Sequence, residues 1–201
     1  MIRRIALTGG IACGKSLAGN FLKTQGIPVI DADDVVHKLL RDDEVLKAQI
    51  RAEFGDDIFD GQGQIIRPAL GQKVFANPER RKLLESWIHP KTREVIEAFY
   101  QQHSHERAGV SIIPLLFESR LQDRYEEVWL LDTAPETQLR RLTRQRGMTE
   151  ADALARIQNQ MSREEKAAKT MQHPCGMIIP NEGSPEQLYE RLGELIQALP
   201  G

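Results

Sequence analysis

Gly9-Gly10-Ile11-Ala12-Cys13-Gly14-Lys15-Ser16 decides how this chain is read. The run satisfies G-x-x-x-x-G-K-[ST] and stands between a short apolar stretch, residues 5–8, and a helical spacing of apolar residues at Leu17, Phe21 and Leu22. A strand that turns through glycines into a helix is the pattern of a phosphate-binding loop (P-loop). Its backbone folds around an anion with the N–H groups inward, and the helix adds its positive end at the same spot. Lys15 is placed for the β- and γ-phosphates of a nucleoside triphosphate, and Ser16 for the Mg²⁺ that bridges them. The bland alternative is a glycine-rich strand-to-helix turn with no ligand.

Working outward, further short apolar runs lie at 28–31, 110–115, 127–132 and 177–180. Helical patterns separate them, so the expected fold is α/β, a doubly wound parallel sheet of five strands. Three of the five runs, at 5–8, 110–115 and 127–132, are nearly continuous in apolar residues, as strands covered on both faces should be. Helices are expected to start at Thr133, Thr149 and Ser184, each a hydroxyl three residues before an acid or amide, the capping-box spacing. Between 34 and 105 no strand is convincing. Apolar residues recur there at helical spacing (Val35, Leu39, Leu40; Leu83, Leu84, Trp87, Ile88), punctuated at Gly61-Gln62-Gly63, Pro68 and Asn77-Pro78. Roughly seventy inserted residues exceed what a crossover needs, which points to a helical substrate lobe. The expected division is a core of 1–33, 106–139 and 175–201, a lobe of 34–105 and a lid of 140–174, all within one domain.

The 201 residues carry 27 Lys and Arg against 29 Asp and Glu, a net charge of -2. That balance supplies no global field for nucleic acid or an anionic membrane. Two cysteines make a disulfide scaffold unnecessary at this length, and no apolar run suits a membrane span or a signal peptide. A soluble, cytoplasmic protein is expected, monomeric or a small homo-oligomer. Charge is local instead: residues 140–169 hold eight bases and four acids, and residues 31–60 hold ten acids and four bases. Either run alone reads as a solvated helix face.

Placement gives the two runs another reading. Asp31-Ala32-Asp33 closes the second strand, and strand C-termini face the ligand crevice in a doubly wound sheet. Asp33 is a candidate to orient an acceptor hydroxyl or take its proton, the alternative being an acidic cap on the next helix. Arg140 and Arg144, four residues apart on one helix face, are candidates to close over the transferring phosphoryl group. The competing classes are a small-molecule kinase with a phosphate acceptor, such as a nucleoside monophosphate kinase, and a nucleotide-dependent switch.

Across almost its whole length the chain resembles the dephospho-CoA kinase family. The matching runs are Thr8-Gly9-Gly10-Ile11 with Gly14-Lys15-Ser16, Val29-Ile30-Asp31-Ala32-Asp33, Phe75-Ala76-Asn77-Pro78, Ile88-His89-Pro90, Pro114-Leu115-Leu116-Phe117-Glu118 and Gln138-Leu139 with Arg141-Leu142 and Arg146. The resemblance implies ATP-dependent, Mg²⁺-assisted phosphorylation of the ribose 3′-hydroxyl of dephospho-CoA, with ATP and dephospho-CoA as the small-molecule partners. It implies catalytic roles for Asp33, Lys15 and Arg140. ATP would be held by Gly10, Ile11, Ala12, Cys13, Gly14, Lys15, Ser16 and Leu17, by Arg144, and by Asn181 and Gly183 in a loop at the adenine. The acceptor would meet Thr8, Asp33, His89, Leu115 and Glu118. Ala12, Cys13 and Leu17 depart from the family's common Gly-Ser and Thr. Cys13, beside Lys15 and a helix N-terminus, reads as a small replacement for serine, with a reactive thiol as the alternative.

Overall fold

An apolar run without alternation forms β1 (Arg3–Gly9), whose last five residues are buried. A computed structural model describes residues 2–75 and 77–199. Beside β1 it sets β2 (Val29–Asp31), β3 (Ala108–Ile112), β4 (Glu127–Asp132) and β5 (Gly176–Pro180), all parallel, in the order β2-β3-β1-β4-β5. The expected five-stranded parallel sheet is therefore present. The third strand ends at Ile112, short of the expected 115. Ile113 N–H still reaches Leu7 O at 2.9 Å, but Pro114 has no N–H to continue the ladder. The helices are α1 (Lys15–Thr24), α2 (Ala32–Asp42), α3 (Glu44–Phe54), α4 (Arg67–Phe75), α5 (Pro78–Gln102), α6 (Pro135–Arg146), α7 (Glu150–Gln158), α8 (Arg163–Gln172) and α9 (Pro185–Ala198).

The chain divides into two compact units: residues up to Asp31 together with those from Tyr100 onward, and Ala32–Phe99. In the first, one sheet face (Ile5, Leu7, Val110, Ile112, Trp129, Leu131) packs on Ala18 and Leu22 of α1 and on Leu188, Leu192 and Ile196 of α9. Phe21 and Tyr189 stack at 4.6 Å between ring centroids, which joins the two helices beside that face. The helical unit has its own core of Leu40, Leu46, Ile50, Phe54, Ile58, Leu70, Leu84 and Ile88. Leu83, placed on the apolar stripe by its spacing, is exposed instead. Asn77 caps α5, its Oδ1 accepting from Glu79 N–H (3.0 Å) and Arg80 N–H (3.1 Å), with Pro78 next in the chain. Ala76 lies outside the described residues, so the Phe75-Ala76-Asn77-Pro78 run is seen only in part.

Of the three expected caps, one is corrected. Ala134 is the N-cap of α6 and Pro135 its first residue. Thr133 donates its hydroxyl to Asn181 O at 3.2 Å, and Glu182 takes the Ala134 N–H, so tertiary partners replace the local box. Thr149 caps α7, accepting from Asp152 N–H at 3.1 Å. Ser184 N–H donates to Gln187 Oε1 at 3.1 Å at the start of α9. A further box, Ser162 with Glu165, opens α8.

Candidate active site

The phosphate loop runs from the C-terminal end of β1 into α1. Gly14 precedes the helix with φ 94, a left-handed conformation, and a Cβ there would lie 2.5 Å from Asn181 Nδ2. Only glycine fits on both counts. Lys15 Nζ donates to Gly9 O and Gly10 O, both at 2.8 Å, which sets the ammonium over the loop. The exposed Ser16 lies in the first turn of α1, and Leu17 packs on the sheet core.

Side chains from distant elements hold the rest of the loop. Ile11 N–H donates to Gln160 Oε1 at 2.9 Å. Arg141 donates to Ala12 O (3.1 Å) and to Asn181 O (2.9 Å), while Asn181 Nδ2 donates to Cys13 O at 2.8 Å. Gln138 Nε2 donates to Cys13 Sγ at 3.0 Å. Cys13 is buried, which suits the packing reading and not a reactive thiol. Ala12 has φ 58, in the region glycine tolerates and alanine does not favour.

Past the loop, the segment after β4 is tied down by charge. Arg163 grips both oxygens of Asp132, each at 2.7 Å, and this pairing raises the guanidinium pKa further. Lys166, almost fully buried, donates to Met161 O at 2.7 Å and lies 3.3 Å from Glu118 Oε1. The same carboxylate accepts Met161 N–H at 3.3 Å. Partial burial works against ionisation of Glu182, yet the Ala134 N–H, the Thr137 hydroxyl and the charges of Arg163 and Arg141 hold its carboxyl below the ordinary value. A cavity of about 350 Å³ opens along Asn181, Glu182, Gly183, Leu188 and Arg191.

The fold thus gathers Gly10 through Ser16 with the buried Asn181, and sets Gly183 on the neighbouring cavity. Arg140 and Arg144 are exposed on α6, with Arg140 Nη2 at 3.4 Å from Thr137 Oγ1. Thr8 is fully buried on β1 and its hydroxyl makes no hydrogen bond among the described residues. Leu115 is half exposed, and Glu118 faces the connector between α7 and α8. Asp33 and His89 belong to the helical unit: Asp33 is exposed in the first turn of α2, directly after β2, and His89 is exposed on α5. Three residues that hold the loop, Gln138, Arg141 and Gln160, bear no mark of that task in the sequence, since their partners lie 125, 129 and 149 residues away.

A family model described as dephospho-CoA kinase matches residues 3–185. A protein named dephospho-CoA kinase from Shouchella clausii (strain KSM-K16) is 38% identical over 192 residues, 94% of each chain. Among solved structures, TT1252 from Thermus thermophilus superposes with a TM-score of 0.83 at 30% identity, covering 100% of this chain and 99% of that one. Dephospho-CoA kinase from Campylobacter jejuni gives 0.71 at 30% identity, covering 98% and 96%.

Proposed function

The chain belongs to the dephospho-CoA kinase family, and we propose how its residues divide the work. The enzyme transfers the terminal phosphoryl group of ATP to the ribose 3′-hydroxyl of dephospho-CoA, giving coenzyme A and ADP, the final step of coenzyme A synthesis. In our reading the loop N–H groups between Gly10 and Leu17, other than that of Ile11, which Gln160 accepts, join the Lys15 ammonium in holding the β- and γ-phosphates. The observation that carries this is the loop itself: a left-handed Gly14 at the head of α1, with Lys15 drawn over the carbonyls of Gly9 and Gly10. Asn181 and Gly183 receive the adenine beside the 350 Å³ cavity. Arg140 and Arg144 meet the charge that spreads over the phosphoryl oxygens. Residues 140–174 act as the lid. The unit Ala32–Phe99, which carries His89, is the acceptor lobe, and Thr8, Leu115 and Glu118 of the sheet unit are assigned to acceptor binding as well.

Ser16 suits a magnesium ion that arrives on the nucleotide. Its hydroxyl is exposed, and no three His, Cys, Asp or Glu side chains gather into a cage among the described residues; an ion bound mainly by substrate phosphates needs none. Ser16 would hold such an ion, which when bound would supply positive charge against the phosphates.

The chemistry asked of the protein is small. The 3′-oxygen bonds to the γ-phosphorus, the bond from that phosphorus to the bridging oxygen breaks, and ADP leaves with the electron pair. Asp33 takes the hydroxyl proton or orients it. No helix of the described residues is long and apolar enough to cross a membrane. We place the enzyme in the cytoplasm, as a monomer or small homo-oligomer. Asp33→Asn tests the assignment: kcat should fall about 10²–10⁴-fold with ATP binding retained. Unchanged turnover in that variant would move the role to another group.

A further inference from the structure

The Ile11 N–H belongs to the phosphate loop, yet its hydrogen bond goes to Gln160 Oε1 at 2.9 Å, a side chain of the connector between α7 and α8. That connector does not depend on Gln160 for its place. Met161 is held through its N–H by Glu118 and through its carbonyl by Lys166, and Arg163 is forked onto Asp132 at the end of β4. A backbone fixed by other groups therefore delivers the 160 side chain to the loop.

The chemistry of the acceptor is telling. A carboxylate at 160 would accept the same N–H more strongly, since charge-assisted hydrogen bonds exceed neutral ones. It would also set a negative charge against a loop whose partner is a polyanion. A neutral amide supplies the bond without the charge.

We propose that Gln160 is a positioning residue for the nucleotide: it holds the Ile11 peptide so that the remaining loop N–H groups keep their anion-facing order, and its neutrality sets the affinity for a triphosphate. The inference rests on the reading of the loop as a triphosphate cradle.

The test is titration calorimetry of the full chain with Mg²⁺-ATP, for the parent, Q160A and Q160E, at low and high salt. It is accompanied by thermal melts and by hydrogen exchange at the Ile11 amide. Q160A should weaken ATP binding about two- to tenfold, the range expected for one lost hydrogen bond, and speed Ile11 exchange, with KM for dephospho-CoA unchanged. Q160E should keep Ile11 protected and melt like the parent, yet weaken ATP binding at least about tenfold, by a margin that shrinks as salt screens the charge. A merely structural role would leave Q160E as good as the parent. The parent's own titration separates the two claims. No ATP binding there overturns the cradle reading and this proposal with it, whereas tight parent binding with an unaffected Q160E overturns this proposal alone.

Discussion

Ala12 and Gly14 show how finely single residues set the phosphate loop. Ala12 sits at φ 58, where its Cβ crowds the following carbonyl at a cost of about 1–2 kcal/mol. Arg141, bonded to Ala12 O, is the side chain that fixes this peptide in place. Ala12→Gly should remove the strain, while the freer unfolded chain returns part of it, for a net gain of about 0.5–1 kcal/mol. A thermal melt should show a rise of about 1–4 °C. A melting temperature that falls would mean that Arg141 and its neighbours have already relaxed the alanine. The reverse change at Gly14 offers no relief. Its φ of 94 penalises any side chain, and the new methyl would push Asn181 Nδ2 off Cys13 O. Gly14→Ala should therefore weaken ATP binding more than about tenfold, since lost loop order adds to backbone strain of roughly 1–3 kcal/mol; calorimetric titration with ATP reads the result. Cys13 takes no part in such arguments as a nucleophile, because burial and the Gln138 contact make it a packing residue.

Among the elements, α3 shows a terminus that sequence, charge and pH all address. Asp43 accepts Leu46 N–H at 2.9 Å through one oxygen and Lys91 Nζ at 2.6 Å through the other. The lysine first, and the helix N–H second, hold this carboxyl below its ordinary value of 3.8. A carboxylate with a depressed folded pKa stabilises the fold above its unfolded value, and the contribution fades as pH falls through and below about 3.8. Asp43→Ala should cost about 0.5–2 kcal/mol at neutral pH, the usual loss for a missing cap, and the gap to the parent should close in acid. Asp43→Asn keeps the cap, so its cost should stay within about 1 kcal/mol, the scale of a partly exposed ion pair. Denaturant melts at pH 7 and pH 3 measure both. Legibility at this scale follows from where the partner lies. Strands at β1, β3 and β4 are readable because burial on both faces writes an apolar run, and the loop because glycine, lysine and serine recur at a fixed spacing between a strand and a helix. Thr133 failed as a cap because Asn181 and Glu182, 48 residues on, claim the hydroxyl and the next N–H. Gln160 is silent for the same reason, and Arg141, though part of a run that resembles the family, gives no local sign of the loop it holds: its partners Ala12 and Asn181 lie far along the chain.

At the scale of the molecule, a net charge of -2 hides a chain whose work is electrostatic, since the basic stretch at 140–169 and the acidic one at 31–60 nearly cancel in the sum. Apolar burial is divided as well. The sheet unit closes around Ile5, Leu22, Trp129 and Leu192, and the helical unit around Leu46, Ile50, Phe54 and Ile58. Each cluster excludes water by itself, so each unit can open with its own free energy, as sub-global unfolding of separate cores allows. Ile50 is fully buried in the helical core, and Ile50→Ala removes about 2–5 kcal/mol there through lost transfer energy and the cavity left behind. Amide exchange should then quicken across Ala32–Phe99 while β1 and β4 keep their protection. Function should divide along the same line. ATP binding, built on the loop after β1, should persist, and phosphorylation of dephospho-CoA should fall, because the proposed acceptor lobe is the part that opens. Uniform loss of protection in both units, with ATP binding lost in step, would show that the two cores unfold as one and that the separation of nucleotide and acceptor duties has no thermodynamic counterpart.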